Sequence, residues 1–556
     1  MLFSKIRSSL EQNKINNSKF SIRLPIIVAV ALAAGIQIGA RFFGTGKGVG
    51  DVVKSSGIFK EILTYIDRSY VDEVDTDSLA TYGIIKMLEK LDPHTAYLPA
   101  EEAELAMSEL QNGFDGIGVE FNIYNDTVYV VTPLAGGPSE NVGILSGDAI
   151  IEANGTSLTG GKVNSQLIFK TLRGPRGTEV KMKIKRKGYK DLLDFTVLRD
   201  KIPTFSVDAA YLMSDKKTGY LKITRFSETT YDEFLKGLKT LKAEGMQQLI
   251  LDLRGNPGGY LERAVAIADE FIAGNGVLVY TDGKDDRNDR KLFARRTGIF
   301  EEGALIVLVD EGSASASEIV SGALQDYDRA LIIGRRTFGK GLVQAPIQLS
   351  DGSELRLTVS RYYIPSGRSI QKPYEKGHLE EYYGELGERG EHGEYFVQDS
   401  IKNDQNNVYK TSGGRTVYGG GGITPDIFVS RDTSYISMYL MELYGANVLR
   451  EYAVSYANEY SEQLKKQSLD DFVRNFKVTP AMLSQITRNA TSVGIKFNQK
   501  DYDKSKVFIS QQVKALIARS IWKDTDGKSN SFYKVVNTDD IAVQTALKNF
   551  KKAAKL

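Results

Sequence analysis

Between residues 51 and 112 apolar positions recur at helical spacing, as in Ile58, Ile62, Leu63 and Ile66, then Ile84, Ile85, Leu88 and Leu91. That pattern predicts a small helical domain over 41–112. From 113 to 200 the period shortens. Residues 127–132 read as a β-branched strand, and 181–187 alternate with Met182, Ile184 and Arg186 on one face. Residues 201–430 alternate strands with helices, as an α/β core does. Residues 248–253 form a strand, followed by a glycine turn and a helix from about 261. Residues 304–309 are all apolar, which predicts a strand buried on both faces. A Gly/Ser turn, a helix over 317–327 and a buried strand over 331–333 follow. Residues 374–415 are rich in Gly, Glu and Tyr without a sustained period, and are expected as a mobile insertion. Gly419–Gly422 leads into a last strand near Ile427. Residues 431–556 are amphipathic and helical, including Met438, Leu440, Met441 and Leu443. The fold class is therefore α/β and multi-domain.

Ahead of these elements lies an apolar run, 24–40, between Arg23 and Arg41. It is broken only by Pro25, two glycines and Gln37. Lys5, Arg7, Lys14, Lys19 and Arg23 precede it against the single acid Glu11. This reads as a cytoplasmic basic segment (1–23) and a membrane anchor or signal (24–40), with the rest outside the cytoplasm. No clean A-x-A site follows, which favours an uncleaved anchor; a cleaved signal would make the chain secreted. The run is short for a spanning helix, which needs roughly 17–25 residues. In a Gram-negative source the part after residue 41 would face the periplasm.

The 556 residues suffice for several domains. A net charge of +2 gives no reason to expect nucleic acid. With no cysteine, thiol nucleophiles, disulfides and Cys-based zinc sites are excluded. The three histidines, His94, His378 and His392, lack metal-binding spacing, so neither a metal nor another cofactor is expected. With so few histidines, a hydrolase built here is expected to use a base other than His.

The chemistry concentrates in a few segments. Gly312-Ser313-Ala314-Ser315-Ala316-Ser317-Glu318-Ile319 lies between a buried strand and a helix. A serine there meets the positive helix end and unpaired backbone N–H groups able to hold an oxyanion. A plain N-cap is the alternative for any one serine. Thr337-Phe338-Gly339-Lys340-Gly341 could be a surface turn. The phosphate-loop pattern fails because Gly341 stands where Ser or Thr is needed. Buried, Lys340 could serve as a general base, since burial lowers a lysine pKa. In Leu251-Asp252-Leu253-Arg254-Gly255-Asn256-Pro257-Gly258-Gly259, the N–H of Gly258 or Gly259 could supply a second oxyanion donor, or the segment could be a simple turn. Asp326 lies eleven residues after Ser315, about 16 Å along a continuous helix at ~1.5 Å per residue. That is too far for a triad role and leaves it a supporting one. Gly116-Ile117-Gly118-Val119 precedes a short strand. Its N–H groups can form a carboxylate nest beside a strand edge that accepts a peptide. Pro133–Pro138 and Gly143–Ile150 match a PDZ pattern.

Together these segments, with LDPHTAYL (91–98), ALQDY (323–327) and RYYIPSGRSIQ (361–371), resemble the carboxy-terminal processing peptidases, or tail-specific proteases, over about residues 55–430. The resemblance implies a crotonase-like protease core (201–430) with an inserted PDZ domain (113–200), flanked by the N-terminal helical segment and a C-terminal helical region (431–556). It implies Ser315 as nucleophile, Lys340 as base and Gln344 as the residue orienting that lysine. Ala316 and the Gly258-Gly259 pair match the oxyanion hole, and Asp326 an acid of supporting role. Arg173 matches an arginine coupling PDZ and active site. The expected function is a serine endopeptidase that cleaves proteins after its PDZ domain reads their apolar C-terminal tails. A homo-oligomer is left open. The alternative is a non-catalytic, membrane-anchored PDZ scaffold or chaperone with an inactive core, against which stand the intact Ser315, Lys340 and Gln344. A crotonase-type acyl-CoA enzyme would need neither an anchor nor a peptide-binding module.

Overall fold

A computed structural model describes residues 49–556 apart from residues 112, 135, 187, 525 and 526. The 1–23 segment and the apolar run 24–40 lie outside the described residues. Among the described residues, no helix is long and apolar enough to cross a membrane. The N-terminal part holds α1 (Val49–Ser69) and α2 (Thr76–Leu88). The two helices meet where Gly83 faces the Phe59 ring; a Cβ there would lie 3.6 Å from it.

The helical pattern expected to run to 112 is interrupted. After Leu88 the chain makes a turn and β1 (Ala96–Leu98), which pairs antiparallel with a strand of the α/β core, before α3 (Ala100–Leu110). A β-rich module follows: β2 (Phe114–Gly116), β3 (Val119–Tyr124), β4 (Thr127–Pro133), α4 (Pro138–Asn141), β5 (Ala149–Ala153), β6 (Thr156–Ser157), α5 (Ser165–Leu172), β7 (Glu179–Lys185), β8 (Leu193–Leu198) and β9 (Asp200–Ile202). Its sheet runs β3-β4-β5-β7-β8, which leaves β3 at an edge. β7 shows how patterning sets the core. Val180, Met182 and Ile184 point inward while Lys181, Lys183 and Lys185 stay exposed. Arg186, expected to share that inner face, instead pairs with buried Asp148 at 2.7 Å. β2 and β9 pair with each other, Phe114 opposite Ile202, and so tie together the two ends of the module.

The core then builds β10 (Val207–Leu212), β11 (Thr218–Ile223), α6 (Thr230–Ala243), β12 (Gln248–Asp252), α7 (Leu261–Asp269), β13 (Val277–Gly283), β14 (Arg290–Phe293), β15 (Leu305–Val309), α8 (Ala316–Asp326), β16 (Leu331–Gly334), β17 (Leu342–Gln348) and β18 (Glu354–Tyr363). A six-stranded sheet runs β10-β11-β12-β15-β16-β21, parallel from β11 onward, with β21 at Ile427–Phe428. In a second sheet β18 pairs with β1, β13 and β17. The apolar run of β15 is buried at every position, and the two sheet faces explain why. Leu305, Val307 and Val309 enter the core shared with α6, α7 and α8. Ile306 and Leu308 enter a second core closed by a C-terminal helix over Ile541–Ala553.

Residues 374–415, expected as a mobile insertion, instead carry α9 (Leu379–Glu391) and β19 (Val408–Lys410), which forms a hairpin with β20 (Thr416–Tyr418) just beyond them. After β21 come α10 (Met438–Gly445), α11 (Val448–Leu464), α12 (Leu469–Asn475), α13 (Pro480–Ser492), α14 (Gln499–Ile521), α15 (Asn530–Val536) and α16 (Ile541–Ala553). α10 to α15 pack around their own core. α16 packs on the six-stranded sheet, burying Val543, Ala546 and Phe550 on one stripe.

Candidate active site

The site forms where two strand-to-helix turns are stitched together. After β12, residues 253–259 loop toward α7; after β15, residues 310–315 loop into α8. Asp310 accepts hydrogen bonds from the N–H of Gly255 (2.8 Å) and of Gly312 (3.0 Å). Asn256 O accepts from Ala314 N (3.0 Å) and Ser317 Oγ (2.9 Å), and Ser313 Oγ donates to Leu253 O (2.9 Å). The three serines of the turn are thereby sorted. Ser313 and Ser317 are buried and spend their hydroxyls on backbone carbonyls. Ser315 is only partly buried and sits at the N-cap of α8 with φ 53° and ψ −112°. A non-glycine residue held there is strained, as reactive residues often are.

Gly258 packs directly on Ser315, so that a Cβ at 258 would lie 2.8 Å from Ser315 Cβ. Its φ of 104° also excludes a side chain. The two glycine amides differ. Gly258 N donates to Asn256 Oδ1 (2.9 Å). Gly259 N, like Ala316 N, has no hydrogen-bond partner among the described residues. Gly259 and Ala316 therefore supply the free donors beside Ser315, while Gly258 supplies the space.

Lys340 follows β16 on a glycine-flanked loop. Its Nζ donates to Gln344 Oε1 at 2.7 Å, and Gln344 Nε2 in turn donates to His94 O. No hydrogen bond joins Lys340 Nζ to Ser315 Oγ in this arrangement. The two residues are instead gathered through Glu318, which the sequence reading passed over. One Glu318 oxygen accepts from both Ser315 N (2.8 Å) and Lys340 N (2.9 Å). The other accepts from Gly339 N (2.7 Å) and Thr337 Oγ1 (2.5 Å). Two amides on one oxygen are necessarily close neighbours. Tyr362 adds a second link, its hydroxyl lying against both Ser315 O (3.2 Å) and Lys340 O. The signal for Glu318 was present: Ser315-x-x-Glu318 spells a capping box.

Burial lowers Lys340 to about 8, with Arg356 adding to the effect and Glu318 and Asp92 opposing it. Burial pushes Glu318 up to about 7, against the pull of its four donors. His94 is driven down to about 3, first by burial and then by Lys340, and is neutral near pH 7. Asp92 positions it. That carboxylate accepts from His94 N (2.8 Å), Thr95 N (2.9 Å), Thr95 Oγ1 (2.5 Å) and Thr358 Oγ1 (2.9 Å).

The structure thus brings together Ser315, Ala316, Gly258, Gly259, Lys340 and Gln344, and sets the remaining candidates apart. Asp326 ends α8, fully buried and paired with Arg368 at 2.7 Å, while its other oxygen accepts from Ser366 N (2.9 Å). It anchors the loop after β18. Gly116, Ile117, Gly118 and Val119 lie in the β-rich module, at the head of edge strand β3. The amides of Ile117 and Gly118 are without partners among the described residues, as a carboxylate nest requires. Arg173 follows α5 beside them. Its guanidinium lies over the rings of Phe114 (4.0 Å) and Phe169 (4.4 Å) and donates to Ser108 Oγ of α3 (2.8 Å). With α3 it lines a cleft of about 920 Å³.

Residues 217–378 match the model of peptidase family S41, and residues 116–197 that of the PDZ domain. A family of unknown function (DUF8443) matches residues 439–524. The chain is 35% identical over 349 residues to a carboxy-terminal-processing protease of Bartonella bacilliformis, covering 62% of this chain and 79% of that protein. It is 32% identical over 372 residues to the carboxy-terminal processing protease CtpA of Bacillus subtilis, covering 65% and 78%. Against CtpB of the same organism the identity is 34% over 313 residues, covering 55% and 64%.

Proposed function

Because this chain belongs to the carboxy-terminal-processing proteases of peptidase family S41, we propose that it cleaves extracytoplasmic proteins through a Ser315–Lys340 pair, after its PDZ domain captures their apolar C-terminal tails. The observation that carries this reading is the buried Glu318 carboxylate. It gathers a strained, partly exposed serine and a lysine of lowered pKa onto one oxygen.

The chemistry follows from these positions. Neutral Lys340 keeps one N–H on Gln344 Oε1 and offers its lone pair to Ser315 Oγ. That contact would form on substrate binding, since catalytic hydrogen bonds commonly tighten only once substrate is bound. Ser315 Oγ gives its proton to Lys340 Nζ and attacks the scissile carbonyl carbon. The oxyanion that forms is held by the N–H groups of Ala316 and Gly259 at the positive end of α8. Collapse breaks the C–N bond, and the Lys340 ammonium returns its proton to the leaving amine. Water then attacks the Ser315 ester, losing its proton to Lys340, and the released serine recovers it.

For substrate capture, the tail's carboxylate would occupy the Ile117–Gly118 amides while the tail pairs along β3. The apolar run 24–40 with its basic flank supports a membrane anchor that leaves the catalytic part outside the cytoplasm.

Digestion of a substrate with an apolar tail tests the core of the reading. Wild type should cleave it, and Ser315→Ala, Lys340→Ala and Lys340→Arg should not, because a guanidinium does not release its proton. Cleavage by Ser315→Ala would remove the nucleophile assignment. Fractionation of cells expressing the full chain should place it with membranes, and recovery in the soluble fraction would refute the anchor.

A further inference from the structure

α9 lies in the segment to which no role attaches, yet it reaches the base. Two adjacent tyrosines of this helix grip the turn before β1. Tyr382 Oη lies 2.9 Å from His94 Nε2, and Tyr383 Oη donates to Pro93 O at 3.0 Å. Tyr382 is buried, and its ring stands edge-on to the imidazole with centroids 5.3 Å apart.

The direction of the first bond can be worked out. Gln371 Nε2 donates to Tyr382 Oη (3.2 Å), so the tyrosine proton is free for His94 Nε2. That requires a neutral imidazole with its proton on Nδ1. His94 meets the requirement, since burial and the neighbouring Lys340 and Lys372 all disfavour the cation. From His94 the route continues through its carbonyl to Gln344 Nε2, and from Gln344 Oε1 to Lys340 Nζ. Gln371 closes the ring from the other side, its Oε1 accepting from Gly341 N (2.8 Å), one residue beyond Lys340.

α9 is itself firmly seated. Lys372 Nζ, fully buried, donates to Tyr382 O (2.8 Å) and pairs with Glu385 (3.0 Å). It lies 4.5 Å from the Phe338 ring and 4.2 Å from the Tyr382 ring. Arg389 donates to Thr337 O (2.8 Å) and Phe338 O (3.3 Å), the two carbonyls that lead into the Lys340 loop.

We propose that α9 is a brace for the general base: the Tyr382 hydroxyl holds His94, the His94 carbonyl holds Gln344, and Gln344 fixes the amine of Lys340. Tyr382 and His94 are positioning residues that touch neither substrate nor the reacting atoms. The inference rests on the Ser–Lys reading.

The test uses the full chain. Tyr382→Phe removes one oxygen and keeps the ring packing, so its thermal midpoint should fall only by the few degrees that the unpaired His94 and Gln371 nitrogens cost, with the fold intact at the assay temperature. With the amine less firmly held, kcat on the tailed substrate should fall about tenfold, the effect of losing roughly one neutral hydrogen bond, while KM stays unchanged. The acidic limb of kcat/KM against pH should move upward, as the loosened amine gains water. The charged and titratable groups around that amine (Arg356 of β18, Glu318 of α8, and Asp92 and His94 before β1) remain in place. His94→Asn should reproduce the kcat loss, and the double variant should be no worse than either single one, because both act along one route. The brace is overturned if Tyr382→Phe keeps kcat and the acidic limb within twofold, if its loss falls on KM, or if the two losses multiply. A silent Tyr382→Phe beside a dead Lys340→Ala overturns the brace alone. Cleavage by Lys340→Ala overturns the Ser–Lys reading and the brace with it.

Discussion

A lysine held in a buried site below its ordinary pKa leaves a mark on stability as well as on activity, and Lys340→Met would expose it. Lys340 stands at about 8 against an ordinary 10.5, chiefly because burial disfavours its charged form. In the unfolded chain the same side chain binds its proton up to about pH 10.5. Between these two values the unfolded state therefore holds more protons than the native one, and stability rises with pH. The cost of burying the amine is fully present below pH 8 and vanishes above 10.5. At about 1.36 kcal/mol per pKa unit, the gap between 8 and 10.5 corresponds to roughly 3 kcal/mol at pH 7 and falls to roughly 1 kcal/mol at pH 9.5. Methionine has similar length and nothing to protonate. The Gln344 oxygen left without its donor does not vary with pH, and Glu318, which feels the charge of the amine and stands at about 7, is mostly ionised in both proteins from pH 8 upward, where the comparison is cleanest. Urea titrations of both proteins, followed by circular dichroism from pH 7 to 9.5, should show wild type gaining about 2 kcal/mol on Lys340→Met across that range. Parallel stability curves would show that the lysine is not desolvated, and would remove the physical basis for a neutral amine. The same pKa should govern catalysis, with kcat/KM of wild type rising with pH through an inflection near 8.

Other variants probe the neighbouring parts. Glu318→Gln presents an amide NH₂ to backbone amides that already donate, leaving at least one buried donor unsatisfied at about 1–3 kcal/mol. Active-site titration with a serine-directed fluorophosphonate should label it at least tenfold more slowly than wild type, and equal labelling would show that Glu318 does not set the geometry. Gly118 has φ 71°, and a Cβ there would come within 3.0 Å of Ile202 Cδ1. Gly118→Ala should raise KM for tailed substrates severalfold and leave untailed peptides less affected; equal effects on both would count against the nest. Arg450 of α11 pairs with Glu120 of β3 at 3.2 Å, tying the C-terminal helices to the PDZ edge strand. With Glu120 half exposed, each single charge reversal should cost up to about 1 kcal/mol. The double reversal should restore it in thermal unfolding, and no recovery would show that the pair is not coupled.

What the sequence revealed and what it hid follow from how far apart the interacting residues lie along the chain. The apolar run at 304–309 predicted burial on both faces of a strand because that requirement is local to the strand. It could not say that the second cover, α16, lies more than two hundred residues onward. The glycine and serine turns were legible as a site because each carries its chemistry within a few residues. Sorting Ser313 and Ser317 from Ser315 required their partners, Leu253 O and Asn256 O, which lie on another turn. Residues 91–98 entered the sequence reading only as the motif LDPHTAYL, inside a stretch expected to be helical. In three dimensions Asp92 gathers four donors there, the chain turns into β1, and the His94 carbonyl is set 250 positions from the Gln344 amide it receives. α9 escaped the periodicity argument for a related reason. It is fixed by Tyr382, Lys372 and Arg389, polar or amphipathic side chains that bury themselves through hydrogen bonds and ring contacts rather than through an apolar stripe. A pattern of hydrophobic positions registers what is buried for lack of water, and the supports of a buried amine are polar groups buried because they have found one another.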